Sequence, residues 1–142
     1  MRGLLDVNAL IAFLDPEHIH HAPIQSWFAA NRDTGWATCP ITQNGFLRIV
    51  SQPRYERPMP VATAFAGLNA AVGVASHAFW PDSVSFAEPG LVDIKRILGP
   101  KQITDIYLLA LAVKNGGRLV TFDAGVPLAA VQGANADNLV RL

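Results

Sequence analysis

Three aspartates in this 142-residue chain each sit beside a short hydroxyl or amide residue: Asp6 in LLDVN, Asp105 in QITDIYLLALA and Asp123 in RLVTFD. Asp6 and Asp123 each end an apolar run that reads as a parallel strand, and Asp105 opens a helix. In an open α/β sheet, ligands bind beyond the carboxyl ends of the strands, so carboxylates placed there converge although they stand far apart in sequence. Converging carboxylates in a wet cleft suit a hard divalent cation bound through oxygen. Such a cation polarises a phosphoryl oxygen and activates water, so the chemistry first expected is metal-assisted hydrolysis of a phosphodiester.

Each acid taken alone has a plainer role open to it. Asp6 could cap the turn that follows, and Thr104-Asp105 suits a helix start on charge grounds, with Thr104 as the N-cap. The set carries the argument. D-x-N, T-D and T-x-D recur at predicted sheet ends, where the Asn8 amide and the hydroxyls of Thr104 and Thr121 orient carboxylates or waters.

The elements that must position these residues alternate strand and helix. Gly3–Asp6 reads as a strand, followed by a short helix over Ala9–Leu14 that Asp15-Pro16 stops. His18–Asn31 reads as an amphipathic helix with Ile24, Trp27 and Phe28 on one face, and Gly35–Thr38 as a second strand. A helix begins near Pro40, a residue favoured at the first helical position. On it Gln43, Leu47 and Val50 share a stripe, which puts a polar residue among apolar ones. Gln52–Pro60 reads as a loop, and VATAFAGLNAAVGVAS as a helix whose small residues would let a neighbour approach. His77–Trp80 is a third strand candidate, Pro81–Gly90 a loop and Leu91–Leu98 a short helix. The clearest helix starts at Thr104-Asp105, presents Ile106, Leu109, Ala110 and Val113 on one face, and stops at Gly116-Gly117. Arg118–Phe122 and Asn138–Leu142 complete the strands. The fold class expected is α/β: a three-layer α/β/α sandwich around a mostly parallel sheet of four to five strands, as a single domain over residues 1–142.

Composition narrows the partners. Eleven basic and eleven acidic residues cancel, so nucleic-acid binding cannot rest on a global positive field. The hydrophobic share is 51% with 15% charged residues, which predicts that a second copy or another partner covers apolar surface. A single cysteine, Cys39, excludes an internal disulfide and a structural zinc site, and suits a reducing cytoplasm. No apolar run reaches the roughly 20 residues of a membrane span, and no signal peptide precedes the first strand.

LLDVNALIAFLD, ATCPITQNGFLRIVS, QITDIYLLALAVKNGG and RLVTFDAG resemble, in order, the four acidic-site segments of a PIN domain, and specifically of the VapC ribonuclease toxins of bacterial toxin–antitoxin pairs. The resemblance runs along nearly the whole chain and is least informative in the middle third. It implies a PIN-like parallel sheet flanked by helices, a Mg²⁺ or Mn²⁺ site that hydrolyses the RNA backbone, a homodimer and inhibition by a VapB-type antitoxin. Carried over by residue, Asp6, Asp105 and Asp123 match three metal-binding acids, Asn8 the polar residue after the first, and Thr121 the hydroxyl of the last motif. The family usually has a glutamate where Gln43 stands. Gln43 offers an amide oxygen but no charge. Two unit charges 4 Å apart interact by about 4 kcal/mol at an effective dielectric near 20, so this absence weakens any cation site at that position. Two other readings follow: a catalytically weak PIN-fold binding module for antitoxin or RNA that autoregulates its operon, and a nuclease acting on structured DNA.

Other residues invite attention. His18, His20 and His21 could share a metal, but phosphate chemistry with hard cations prefers oxygen donors. Glu56, Asp82, Glu88 and Asp93 are candidates to replace the missing carboxylate, none singled out. Arg48, Arg54 and Lys101 could meet a phosphate. Trp27, Trp36 and Trp80 are expected in the core rather than as base-stacking platforms.

Overall fold

The computed structural model describes every residue from Met1 to Leu142. Five strands, β1 (Gly3–Leu5), β2 (Trp36–Thr38), β3 (His77–Phe79), β4 (Arg118–Thr121) and β5 (Leu139–Arg141), form one all-parallel sheet in the order β3-β2-β1-β4-β5. The chain therefore starts in the middle, builds outward to β3, then returns to the other side of β1. That reversal between β1 and β4 opens a crevice at their carboxyl ends, where α/β sheets bind ligands.

Side chains alternate across each strand, and the two faces have separate cores. Leu4 and Leu119 point to one face, under α5 (Ile103–Lys114), with Ile106, Leu108 and Leu109. Leu5, Trp36 and Val120 belong to the other, under α1 (Val7–Leu14), α2 (His21–Ala30), α3 (Pro40–Val50) and α4 (Val61–Val72). The three-layer arrangement expected from the sequence is thus present, and Trp27, Trp36 and Trp80 are buried as expected.

The α1–α3 crossing is close because Gly45 has no side chain: a Cβ there would stand 2.6 Å from Val7 Cγ2. α5 ends in a Schellman motif, with Gly117 N donating to Ala112 O at 2.8 Å and Gly116 N to Val113 O at 3.0 Å. Gly116 adopts φ 64, the left-handed conformation that this ending requires.

Three local expectations are corrected. Leu91–Leu98 is no helix; it holds one 3-10 turn, Ile94–Arg96, and Val92 forms an antiparallel bridge to Val131. The competing factor is tertiary pairing, which takes a short apolar run for a bridge. Thr104 is not the N-cap of α5, which begins one residue earlier at Ile103, prolonging a 3-10 turn at Pro100–Gln102. The second helix starts at His21 rather than His18, because residues 16–20 turn back through His18 N donating to Asp15 O and His21 N to His18 O.

Candidate active site

Asp6 is placed by backbone bonding before its side chain acts. Its N–H donates to Val120 O at 3.0 Å, continuing the β1–β4 ladder one residue past the strand, so it lies opposite Thr121. One carboxylate oxygen, Oδ1, accepts from Ala9 N at 2.6 Å and caps α1; the other, Oδ2, accepts from the Thr121 hydroxyl. The capping role and a role in a site are therefore compatible, because each carboxylate oxygen keeps a lone pair free. Asp6 is 4% exposed. Burial pushes its carboxyl above the usual range, against the bonds from Thr121 and Ala9, and the charge of Asp123 adds to the rise.

Thr121 links two of the acids. Besides donating to Asp6, its Oγ1 accepts the backbone N–H of Asp123 at 2.9 Å. Asp123 sits on the exposed turn after β4, where its Oδ1 accepts from Gly125 N at 2.6 Å. Asp105 enters from above, in the first turn of α5. Its carboxyl is pushed up to about 6, by burial first and then by the charges of Asp6 and Asp123. Three elements far apart in sequence thus bring three mutually repelling carboxylates to the sheet crevice.

Gln102, which no sequence signal singled out, ties two of those elements together. Its Nε2 donates to Gly125 O at 2.9 Å and its Oε1 accepts from Leu98 N at 2.8 Å, so the start of α5 is fastened to the Asp123 turn. A contact between residues 102 and 125 leaves no local pattern to read.

Gln43 does not join the acids through its amide nitrogen. That nitrogen donates to Thr38 Oγ1 at 2.9 Å, and Thr38 Oγ1 lies 2.9 Å from His77 Nε2 on the edge strand. The buried stripe of α3 is Thr42, Gly45, Phe46 and Val50, so Gln43 stands beside it, half-buried, rather than within it. Asn8 is exposed and lines a cleft of about 600 Å³ with Asn44, Arg48, Asp82 and Thr104. Among the four acids considered as replacements, only Asp82 reaches this cleft; Glu56 pairs with Arg57, and Asp93 caps the 94–96 turn and pairs with Arg96. The histidines act locally: His18 Nδ1 accepts from His20 N, His21 Nδ1 bonds Ala12 O, and the His20 ring stacks on Phe122.

The donor set of carboxylates, flanking amides and a hydroxyl is all oxygen and hard, which fits Mg²⁺ or Mn²⁺ and not a soft metal. Burial first, and neighbouring charges after it, raise Asp6 and Asp105, and a cation between Asp6, Asp105 and Asp123 would oppose both effects. The acids are not a closed cage, since no three His, Cys, Asp or Glu side chains stand close enough to grip an ion without adjustment. No helix is long and apolar enough to cross a membrane.

Comparison with known proteins bears on the family and the fold. The PIN domain family matches residues 3–132. Ribonuclease VapC44 of Mycobacterium tuberculosis is 48% identical over 142 residues, covering 100% of both chains. Ribonuclease VapC38 of the same organism is 47% identical over 125 residues, covering 87% of this chain and 86% of its own. Among solved structures, the sarcin-ricin loop cleaving toxin VapC20 of M. tuberculosis superposes with a TM-score of 0.60 at 12% identity, over 87% of this chain and 91% of that one. VapBC2 from Rickettsia felis, bound to a promoter DNA fragment, gives 0.59 at 14% identity, over 87% and 89%. The family match over residues 3–132 and 48% identity along the full length of a ribonuclease make this chain a member of the PIN-domain family and, within it, of the VapC ribonuclease toxins.

Proposed function

We propose that Asp6, Asp105 and Asp123 hold a divalent cation, Mg²⁺ or Mn²⁺, and that this ribonuclease hydrolyses RNA phosphodiesters with water as nucleophile. The observation that carries the reading is that β1, β4 and α5 deliver three carboxylates to one crevice, with Thr121 bonded both to Asp6 and to the Asp123 backbone. When bound, the cation supplies Lewis-acid polarisation of the phosphate and a lowered pKa for the attacking water. The chain's own residues orient the site. Thr121 holds Asp6 Oδ2 in one direction and restrains the Asp123 backbone, Gln102 keeps α5 against the Asp123 turn, and Asn8 lines the cleft where substrate enters. Water attacks phosphorus, the P–O3′ bond breaks and the 3′-oxygen leaves with a proton, so the products carry 5′-phosphate and 3′-hydroxyl ends.

The same reading makes the chain a single PIN unit acting in the cytoplasm as a homodimer, silenced by a VapB-type antitoxin. A second reading, a weakly catalytic module for antitoxin or RNA binding, is favoured by one observation: Gln43 is uncharged and engaged with Thr38. One experiment separates them. Purified, antitoxin-free chain is incubated with total cellular RNA and Mg²⁺ or Mn²⁺, beside an EDTA control and Asp6→Asn. Discrete cleavage lost in both controls supports the nuclease; intact RNA with folded protein supports the binding module. Cleavage of RNA but not of matched DNA sets aside a DNA substrate.

A further inference from the structure

We propose that the cleft running along α3 binds the RNA backbone next to the scissile phosphate, with Arg48 as its cationic contact and Asn44 as a neutral donor. The inference rests on the ribonuclease reading and adds the substrate-holding residues to it. Asn44 and Arg48 are one helical turn apart and share one face of α3, and both are exposed along the cleft of about 600 Å³. None of the three acids lines the cleft, but its wall includes Asn8, two residues beyond Asp6, and Thr104, the neighbour of Asp105.

Arg48 is the cleft's single basic residue, and it is uncommitted. It takes part in none of the ion pairs of the chain, whereas Arg57 is bound to Asp15 and Arg141 to Val126 O. A chain with zero formal charge has no global field to attract a polyanion, so a free guanidinium in the cleft sets where a phosphate settles. Asp82 on the same cleft repels phosphate, which confines the backbone to the α3 side. Arg48 also lies in the last turn of α3, where it complements the helix dipole. That structural role alone would leave RNA affinity unchanged.

The test is equilibrium binding of a fluorescent single-stranded oligoribonucleotide to the full chain in EDTA, across a series of KCl concentrations. Arg48→Ala is expected to weaken binding about tenfold and to reduce the slope of log Kd against log salt by about 0.7, the loss of one phosphate contact on a single strand. Arg48→Lys keeps the charge and most of the slope, and stays informative if the alanine variant folds poorly. Asn44→Ala weakens binding without changing the slope, and Arg96→Ala, which removes an arginine that pairs with Asp93 and does not line the cleft, changes neither. Arg48→Ala with the affinity and slope of the native chain overturns the proposal, as does folded native chain that binds no oligoribonucleotide. Binding is read without cleavage. Native chain that binds but cuts nothing in Mn²⁺ therefore rejects the nuclease reading alone, and cleavage with an unaltered Arg48→Ala slope rejects the Arg48 reading alone.

Discussion

Asp105 stands in the first turn of a helix, where the dipole favours a carboxylate, yet its carboxyl is pushed up to about 6. Burial and two neighbouring charges outweigh the dipole, so the folded chain holds an extra proton here between the ordinary value of 3.8 and about 6. Where the folded state binds more protons than the unfolded state, stability falls as pH rises. Cation-free protein is therefore expected to lose stability through this group as pH rises across that window, and Asp105→Asn to remove the loss; thermal melts of the two proteins from pH 4 to 7.5 check it. Mn²⁺ should raise Tm more at pH 7.5 than at pH 5, and EDTA should reverse the rise. Equal Mn²⁺ shifts at both pH values would argue against a carboxylate site. Gln43 makes a different case. Because its amide is bonded to Thr38, Gln43→Glu should leave Mn²⁺ affinity within about tenfold of the native value, equivalent to 1.4 kcal/mol. The new carboxylate would compete with His77 for the Thr38 hydroxyl and raise the His77 pKa, which burial now lowers; an NMR titration of the imidazole reads this.

At the scale of elements, the site depends on how closely α1 and α3 cross, since α1 carries Asp6 at its start and α3 lines the cleft. Gly45→Ala places a methyl 2.6 Å from Val7 Cγ2 and 3.0 Å from Val7 Cγ1, so the Val7 side chain or the helices themselves must shift. Overpacking of this kind costs about 1–3 kcal/mol, measurable by urea denaturation, and should lower cleavage beyond what the lost folded fraction explains. A second tie lies at the far end of α1, where the 52–60 loop is anchored to Asp15. Burial raises the Asp15 carboxyl, but hydrogen bonds from Arg57 and Tyr55 prevail and hold it below its usual value. This linkage has the opposite sign to that of Asp105: its stabilisation is present above the unfolded pKa and is lost as pH falls through the folded one.

Across the whole molecule, apolar surface remains open. Ile94 is 79% exposed, Leu98 88% and Phe65 47%, and of α4 only Ala64 and Leu68 are buried. Surface of this kind favours association, so light scattering of purified chain at micromolar concentration should give the mass of a dimer. Monomer mass throughout that range would remove the homodimer from the proposed function.

Strand and helix order was legible in the sequence because period-2 and period-3.6 patterns, Pro40 at a helix start and Gly116-Gly117 at a helix end are local signals. The three aspartates were legible for the same reason, as Asp6 and Asp123 each end an apolar run and Asp105 opens a helix. Local patterns say nothing of which strands pair. Only the order β3-β2-β1-β4-β5 sets Asp6 opposite Thr121, and only the folding of α5 over that crevice brings Asp105 to them. The direction of the Gln43 amide, the Gln102 tie to Gly125 and the use of Val92 as a bridge to Val131 were likewise decided by tertiary structure. Each depends on a partner distant in sequence, and the free energy of such contacts is not written in the residues on either side of them.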